Sequence, residues 1–405
     1  MTYVAFIRQN WLFLLAGFVL TFTSSYGQTY FISLFAGEIM TDFELSDGAW
    51  GGIYTLGTTA SALVMVWAGA VMDRFRVRVL SGVLMFALAG SCLAMAWNTS
   101  LPLLVLVIFA LRLTGQGMMS QLALVAMVRW FEASRGKAIS LASMGFSVGQ
   151  AVLPVIFVAL LAVLDWRLLW VVAGATIIFT VPLLVRLLQQ ERTPQAMAEE
   201  TQMTGMNGRH WTRPEVIKSR LFLLMLPTMI GPGAWGTALF FQQVHLTEVK
   251  GWDLISYVAL MPLYTLSTIV ATFVSGWAID RFGVSRIMPF QMVPFAISFA
   301  VLAYADTLWL AGVGLVAFGV GQALSSTGSS TFWAEYFGTR HIGTIKSLVT
   351  ALMVLGSAIG PGVTGLLIDW GITFPQQMIP IAVYYVIAGV LTTIGIAQHK
   401  HLIAR

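Results

Sequence analysis

Apolar residues run along this chain in long stretches separated by short polar ones. Twelve such runs fall at 11–35, 50–72, 79–97, 103–128, 138–164, 168–188, 221–245, 255–279, 287–304, 307–332, 346–368 and 376–397. A helix needs about 20 mostly apolar residues to cross a bilayer, and each run is close to that length. In hydrocarbon the backbone must satisfy its own hydrogen bonds, and the ten-residue alternation of a membrane barrel is missing. The pattern therefore predicts an all-α membrane protein with twelve transmembrane helices. The connections are short except for 189–219, and none is large enough for a soluble domain. The first run is too long for a secretory signal, and no small-x-small cleavage site follows it, so it is expected to stay as the first helix.

Composition agrees with the pattern. Of 405 residues, 58% are hydrophobic and 10% charged, against about 25% charged in an ordinary soluble protein. A soluble enzyme, a disordered chain and a disulfide scaffold are excluded, the last because Cys92 is the only cysteine. Placing both termini in the cytoplasm puts 19 of the 22 Lys and Arg in cytoplasmic segments, with only Arg167 and Lys250 outside. That alternation predicts the orientation in the cell (inner) membrane and accounts for the net charge of +5 without nucleic acid as a partner.

The chain also repeats itself. Gly69-x-x-x-Asp73-Arg74-Phe75 returns 207 residues later as Gly276-x-x-x-Asp280-Arg281-Phe282, and the same shift carries Gly136, Gly149 and Pro154 onto Gly343, Gly356 and Pro361. Six helices per half is an even number, so the repeat is parallel, about an axis along the membrane normal. The expected organisation is a bundle at 1–188, a solvated cytoplasmic linker at 189–219 and a second bundle at 220–405. Gly145-x-x-x-Gly149 and Gly356-x-x-x-Gly360 allow close helix approach, as pivots or as simple packing faces.

Six plus six helices, a long central loop and Gly-x-x-x-Asp-Arg loops after the second and eighth spans resemble the major facilitator superfamily. The second-half loop matches with Gly283 in the glycine position, while the first half carries Arg76 there. The resemblance implies a monomeric carrier, not an enzyme, working by alternating access. It also implies a cytoplasmic latch made by Gly69, Asp73, Arg74, Gly276, Asp280 and Arg281, with Glu132 and Glu335 as candidate partners for the arginines. The runs Tyr26–Phe35 and Phe240–Leu246 are similar to those of bacterial monocarboxylate and oxalate/formate carriers.

One permanent charge lies at membrane depth, Arg112 in the fourth span; every Asp and Glu falls in a loop or at a helix end. Arginine does not shed its proton to escape burial, so it must face a wet cavity, bind backbone carbonyls or await an anion. As an anchor for a small organic anion it matches a carboxylate in bidentate fashion; a structural or coupling role stays open. Tyr26, Gln28, Gln116, Trp235, Gln242, Gln322 and Ser326 accompany it as candidate substrate contacts on the first, fourth, seventh and tenth spans, which line the path in the superfamily. Gly231-Pro232-Gly233 is expected to break the seventh helix beside a cavity. His245 is a candidate for proton coupling, and Lys346 lies only at the cytoplasmic start of the eleventh span. Gly145-Phe146-Ser147-Val148-Gly149 matches a nucleophile elbow, but inside a helix and without a histidine at depth. No catalytic, metal or cofactor motif is found, so the expected partners are a small organic anion and the lipid bilayer. Export of drugs or small neutral or hydrophobic metabolites is the alternative.

Overall fold

A computed structural model of the chain describes residues 3–131, 135–189 and 204–403. The described residues are almost entirely helical and contain no β-strand. Eleven helical segments among them are long and apolar enough to cross a membrane. The 28-residue helix Asp47–Arg74 stands where the second span is expected, with side chains beyond residue 65 outside the description. The chain divides into two compact units, Met1–Glu199 and Glu200–Arg405.

The first unit contains α1 (Tyr3–Thr23), α2 (Asp47–Arg74), α3 (Val77–Trp97), α4 (Leu101–Leu111), α5 (Ser120–Trp130), α6 (Arg135–Leu161) and α7 (Trp166–Leu187). Within it α1 packs on α6, α2 on α4 and α3 on α7. The second unit contains α8 (Arg213–Lys218), α9 (Arg220–Phe241), α10 (Met261–Phe282), α11 (Val293–Tyr304), α12 (Leu308–Phe337), α13 (Ile342–Asp369) and α14 (Phe374–His399). There α9 packs on α13, α10 on α12 and α11 on α14. In each unit, then, the first span meets the fifth, the second the fourth and the third the sixth.

The glycines of the two Gly-x-x-x-Gly pairs, on α6 and α13, explain the close approach of the first and fifth spans. A Cβ on Gly145 would lie 2.0 Å from the Phe18 carbonyl oxygen, and one on Gly149 would lie 2.1 Å from Ser25 Oγ. In the second unit a Cβ on Gly360 would lie 2.1 Å from the Ala234 carbonyl oxygen. Backbones therefore pack directly, and Thr21 Oγ1 reaches across to donate to the Ala142 carbonyl at 2.5 Å.

Two spans depart from the expected straight helix. The first run does not continue as one helix from 11 to 35. It stops at Thr23, makes a 3₁₀ turn at Ser24–Gly27, passes through extended Gln28 (φ −88°, ψ 154°) and resumes at Thr29–Ile32. Opposite it, α4 and α5 are joined by a π-helical stretch, Arg112–Met119. Gly27 and Gly115 meet there: a Cβ on Gly115 would lie 2.7 Å from Gly27 Cα. The seventh span departs the other way. Despite Gly231-Pro232-Gly233, α9 is continuous through Phe241. Tyr384 and Tyr385 on α14 donate to the Pro227 and Gly231 carbonyls at 2.8 and 3.1 Å, tying this part of α9 to α14.

The stretch expected to be a solvated linker is partly folded. Residues 190–203 lie outside the described residues, but 204–219 packs on the second unit. Met206 is buried in the cluster that contains Trp333 and Phe337. Trp211 donates its backbone N–H to the Phe337 carbonyl at 3.0 Å and its Nε1 to the Met206 carbonyl at 3.2 Å. Arg209 lies over the Trp211 ring at 4.3 Å and pairs with Glu215 at 3.2 Å. Glu215 in turn accepts from the Thr212 backbone and hydroxyl, closing a capping box at the start of α8. The apolar residues of a largely polar segment, Met206, Trp211 and Val216, thus join the cluster at the end of α12. The Thr212 bonds, with a smaller contribution from Arg209, hold the Glu215 carboxyl below its usual range.

Two outcomes are expected. Gly360→Ala destabilises the protein by about 1–3 kcal/mol through overpacking, whereas Gly82→Ala, whose Cβ meets nothing within 4 Å, stays within about 0.5 kcal/mol; thermal unfolding in detergent measures both. Glu215→Ala loosens the docked segment, read as faster tryptic cleavage after Arg209. A depressed folded-state value means the contact is fully present above the ordinary glutamate range and fades as pH falls through the folded value. Wild type and Glu215→Ala therefore converge in cleavage at acidic pH, followed with an acid-active protease.

Candidate functional site

Arg112 is 1% exposed. Breaking the first span at Ser24–Gln28 frees carbonyls that a continuous helix would have used, and the guanidinium takes one of them. Its Nη1 donates to the Gly27 carbonyl at 3.3 Å and to Thr29 Oγ1 at 3.2 Å. The Tyr54 ring lies under the guanidinium carbon at 5.2 Å, and Tyr54 Oη shares a 2.5 Å hydrogen bond with Thr29 Oγ1. The other edge, Nε and Nη2, has no hydrogen-bond partner among the described residues. No carboxylate pairs with Arg112 among the described residues. The arrangement is thus half anchored and half unpaired.

The remaining first-unit candidates divide. Gln28 is buried in the extended link beside Gly27, and Gln116 is half-buried on the π-helical turn after Arg112. Tyr26 turns elsewhere: its hydroxyl accepts from Thr176 on α7 at 2.9 Å, and its ring packs edge-on against Phe31 and Phe157. It belongs to the packing of the unit and does not join the Arg112 cluster.

The second unit holds a cavity of about 250 Å³. α9 supplies Met225, Thr228, Met229 and Pro232; α12 supplies Gln322, Ser325, Ser326, Ser329 and Trp333; α13 supplies Lys346, Val349, Thr350 and Met353. Met288 and Gln291 come from the turn that precedes α11. Lys346 is its one charged lining residue. Of the sequence candidates, Gln322 and Ser326 line it, and Trp235, Gln242 and His245 do not. Trp235 packs its ring against Tyr384 at 5.7 Å, and Gln242 donates to Thr364 Oγ1 at 3.1 Å, tying the end of α9 to α13. His245 lies past the end of α9, in the short helix Gln243–Lys250.

The loop charges are only partly described. The side chains of Gly69, Asp73 and Arg74, and all of Glu132, lie outside the description. Gly276, Asp280 and Arg281 occupy the end of α10, where Asp280 and Arg281 are exposed. The expected Arg281–Glu335 pair is not made; Glu335 instead accepts from Ser285 Oγ at 3.5 Å. Sequence reasoning did not single out Thr29 from the polar run of the first span, overlooked Tyr54, Trp333 and Gln291, and set Lys346 aside. Gln291 had a visible signal, as the only polar side chain in the stretch 287–297, flanked by Pro289 and Pro294.

Comparison with known proteins places this geometry. In solved structures, a bacterial homologue of the human lysosomal transporter Spinster, inward-facing and unoccupied, is 17% identical, with 97% of this chain and 98% of that one covered and a TM-score of 0.68. The nucleoside transporter NupG is 14% identical, with 95% and 98% covered and a TM-score of 0.68. At such identity these show the fold alone. A multidrug resistance protein B homologue of Mycobacterium tuberculosis (strain H37Rv) is 28% identical over 120 residues, 30% of this chain. The chain spans only 21% of that relative's length. The model of the Major Facilitator Superfamily matches residues 17–276 and 259–398. With that match along nearly all of its length, the chain is a multi-pass membrane carrier rather than an enzyme and belongs to the Major Facilitator Superfamily.

Proposed function

We propose that this carrier moves a small organic anion of the monocarboxylate class across the cell membrane by alternating access. It works as a secondary active or facilitative transporter with both termini in the cytoplasm. The observation that carries the reading is the unpaired Nε/Nη2 edge of Arg112. That edge is the one a carboxylate grips with two oxygens, and the fork is fixed in place because Nη1 is already tied to Gly27 and Thr29. A buried guanidinium with no acidic neighbour costs about 2.5–3.5 kcal/mol on insertion scales, a penalty that an arriving anion relieves. At 1% exposure the edge is enclosed in this conformation, as a binding group must be during part of a carrier cycle. Lys346 gives the second-unit cavity the same sign of charge.

No carboxylate accompanies Arg112, so coupling by protons is assigned to the substrate's own carboxyl group or to His245, and exchange of anions fits equally. The loops at Asp73-Arg74 and Asp280-Arg281 act as the latch. The methionines and Trp333 of the second-unit cavity favour a second reading, export of a neutral or hydrophobic solute; the short stretch resembling a multidrug resistance protein points the same way.

Uptake of radiolabelled lactate by proteoliposomes separates these readings. Arg112→Lys keeps the charge but loses the bidentate edge. It is expected to lower uptake per folded molecule roughly 10- to 100-fold, the equivalent of about 1.5–3 kcal/mol. A lowered melting temperature with uptake per folded molecule unchanged would leave Arg112 only a clamp on the first span and remove the basis for an anion.

A further inference from the structure

Several of the polar groups that line the second-unit cavity are already hydrogen-bonded. Thr228 Oγ1 is shared with Thr392 at 2.6 Å and with the Ala388 carbonyl at 3.2 Å. Ser326 Oγ donates to the Ala323 carbonyl at 3.0 Å, and Ser329 Oγ accepts from Trp333 Nε1 at 3.0 Å. Gln291 is different. It is 1% exposed, it lines the cavity, and neither its Oε1 nor its Nε2 has a hydrogen-bond partner among the described residues. Among the described residues, no other cavity-lining side chain has a fully buried polar atom left unpaired.

Burying an unpaired amide destabilises a protein, whereas an apolar side chain of the same size would fill the space at no such penalty. The fold nevertheless makes room for it. Gln291 follows the 3₁₀ turn Met288–Phe290, and its backbone N–H is used by the Met288 carbonyl at 3.2 Å, which sets the start of the side chain. Gly328 on α12 admits this turn: a Cβ there would lie 2.8 Å from Met288 Sδ and 3.7 Å from Gln291 Oε1. The result is an amide with one donor and one acceptor end, held in a cavity whose apolar lining comes largely from methionines and one tryptophan.

We propose that Gln291 reads the substrate. It pairs with a flat solute that carries a hydrogen-bond donor beside an acceptor, the edge of a cyclic amide or imide, while the methionines and Trp333 take the ring. This rests on the reading of the chain as a carrier of small organic anions and narrows it, from any carboxylate to one bearing such an edge. A site built around a buried polar group rejects an analogue that leaves it unpaired, so discrimination is sharper than the apolar lining alone can give.

Three probes test it on the purified full chain, with affinity measured by calorimetry in detergent. Orotate carries a carboxylate and an imide edge on a flat ring; benzoate carries the carboxylate without the edge; uracil carries the edge without the charge. Wild type is expected to bind orotate roughly 10- to 100-fold more tightly than benzoate. Gln291→Leu is expected to erase that preference and leave benzoate unchanged. Its ligand-free melting temperature should equal or exceed that of wild type, with Gln291→Met as a second apolar variant. Equal affinity of wild type for orotate and benzoate, or a preference that survives in Gln291→Leu, overturns the role of Gln291 while the anion reading stands. Binding of uracil but not benzoate, lost in Gln291→Leu, upholds Gln291 and overturns the anion reading. Binding of none of the three overturns both. A clear drop in the ligand-free melting temperature of both apolar variants marks the amide as a structural partner and also overturns the proposal.

Discussion

A carbonyl released from a helix inside hydrocarbon must find a donor in the protein, since lipid offers none. Much of this structure follows from how that requirement is met. The first unit breaks its first span and answers with a guanidinium: Nη1 of Arg112 takes the Gly27 carbonyl while the Tyr54 ring lies beneath the charge. The second unit keeps its corresponding span helical, and there two phenols on a neighbouring helix, Tyr384 and Tyr385, add donors to the Pro227 and Gly231 carbonyls, which the unbroken helix has not released. A phenol is neutral and is used up by one carbonyl. A guanidinium has five donors, so one broken turn leaves part of it unspent.

The two units share their packing and differ in their polar groups. The pairing of first with fifth span relies on backbone approach at Gly145 and Gly360, where any side chain would strike a carbonyl oxygen. Such contacts tolerate little change and keep the halves alike. Polar side chains are under no such restraint. Arg112 corresponds in the repeat to Gly319, and Gly319 lies close against Ser267 and Tyr264 with no room for a side chain. The first unit therefore offers a charge where the second offers close packing, and the second offers a cavity whose polar centre, Gln291, lies outside the positions singled out by the repeat.

The spans were legible because hydropathy over 20 residues encodes them directly, and the all-helical fold followed from the lack of alternation. The break in the first span was not legible, because its partner is a distant side chain and no local signal at Gly27 names it. The straightness of α9 was not legible either: glycine and proline mark a weak point, but Tyr384 and Tyr385, which bind this helix from α14, sit more than 150 positions away. Trp235 and Gln242 shared a span with cavity residues and yet point to Tyr384 and Thr364, since depth along a helix does not fix which side faces which neighbour. The polar content of 189–219 hid the apolar residues, Met206, Trp211 and Val216, that dock its second part.

The separation of Arg112 from the carbonyl it satisfies, 85 positions in the chain, also sets an order of events during synthesis. The first span enters the bilayer with its middle turn open, and neither the second nor the third span brings a cation at that depth. Only when the fourth is inserted does the donor arrive, still ahead of the fifth span that packs along α1. Until then the Gly27 carbonyl lacks this donor and is better placed near water than in hydrocarbon.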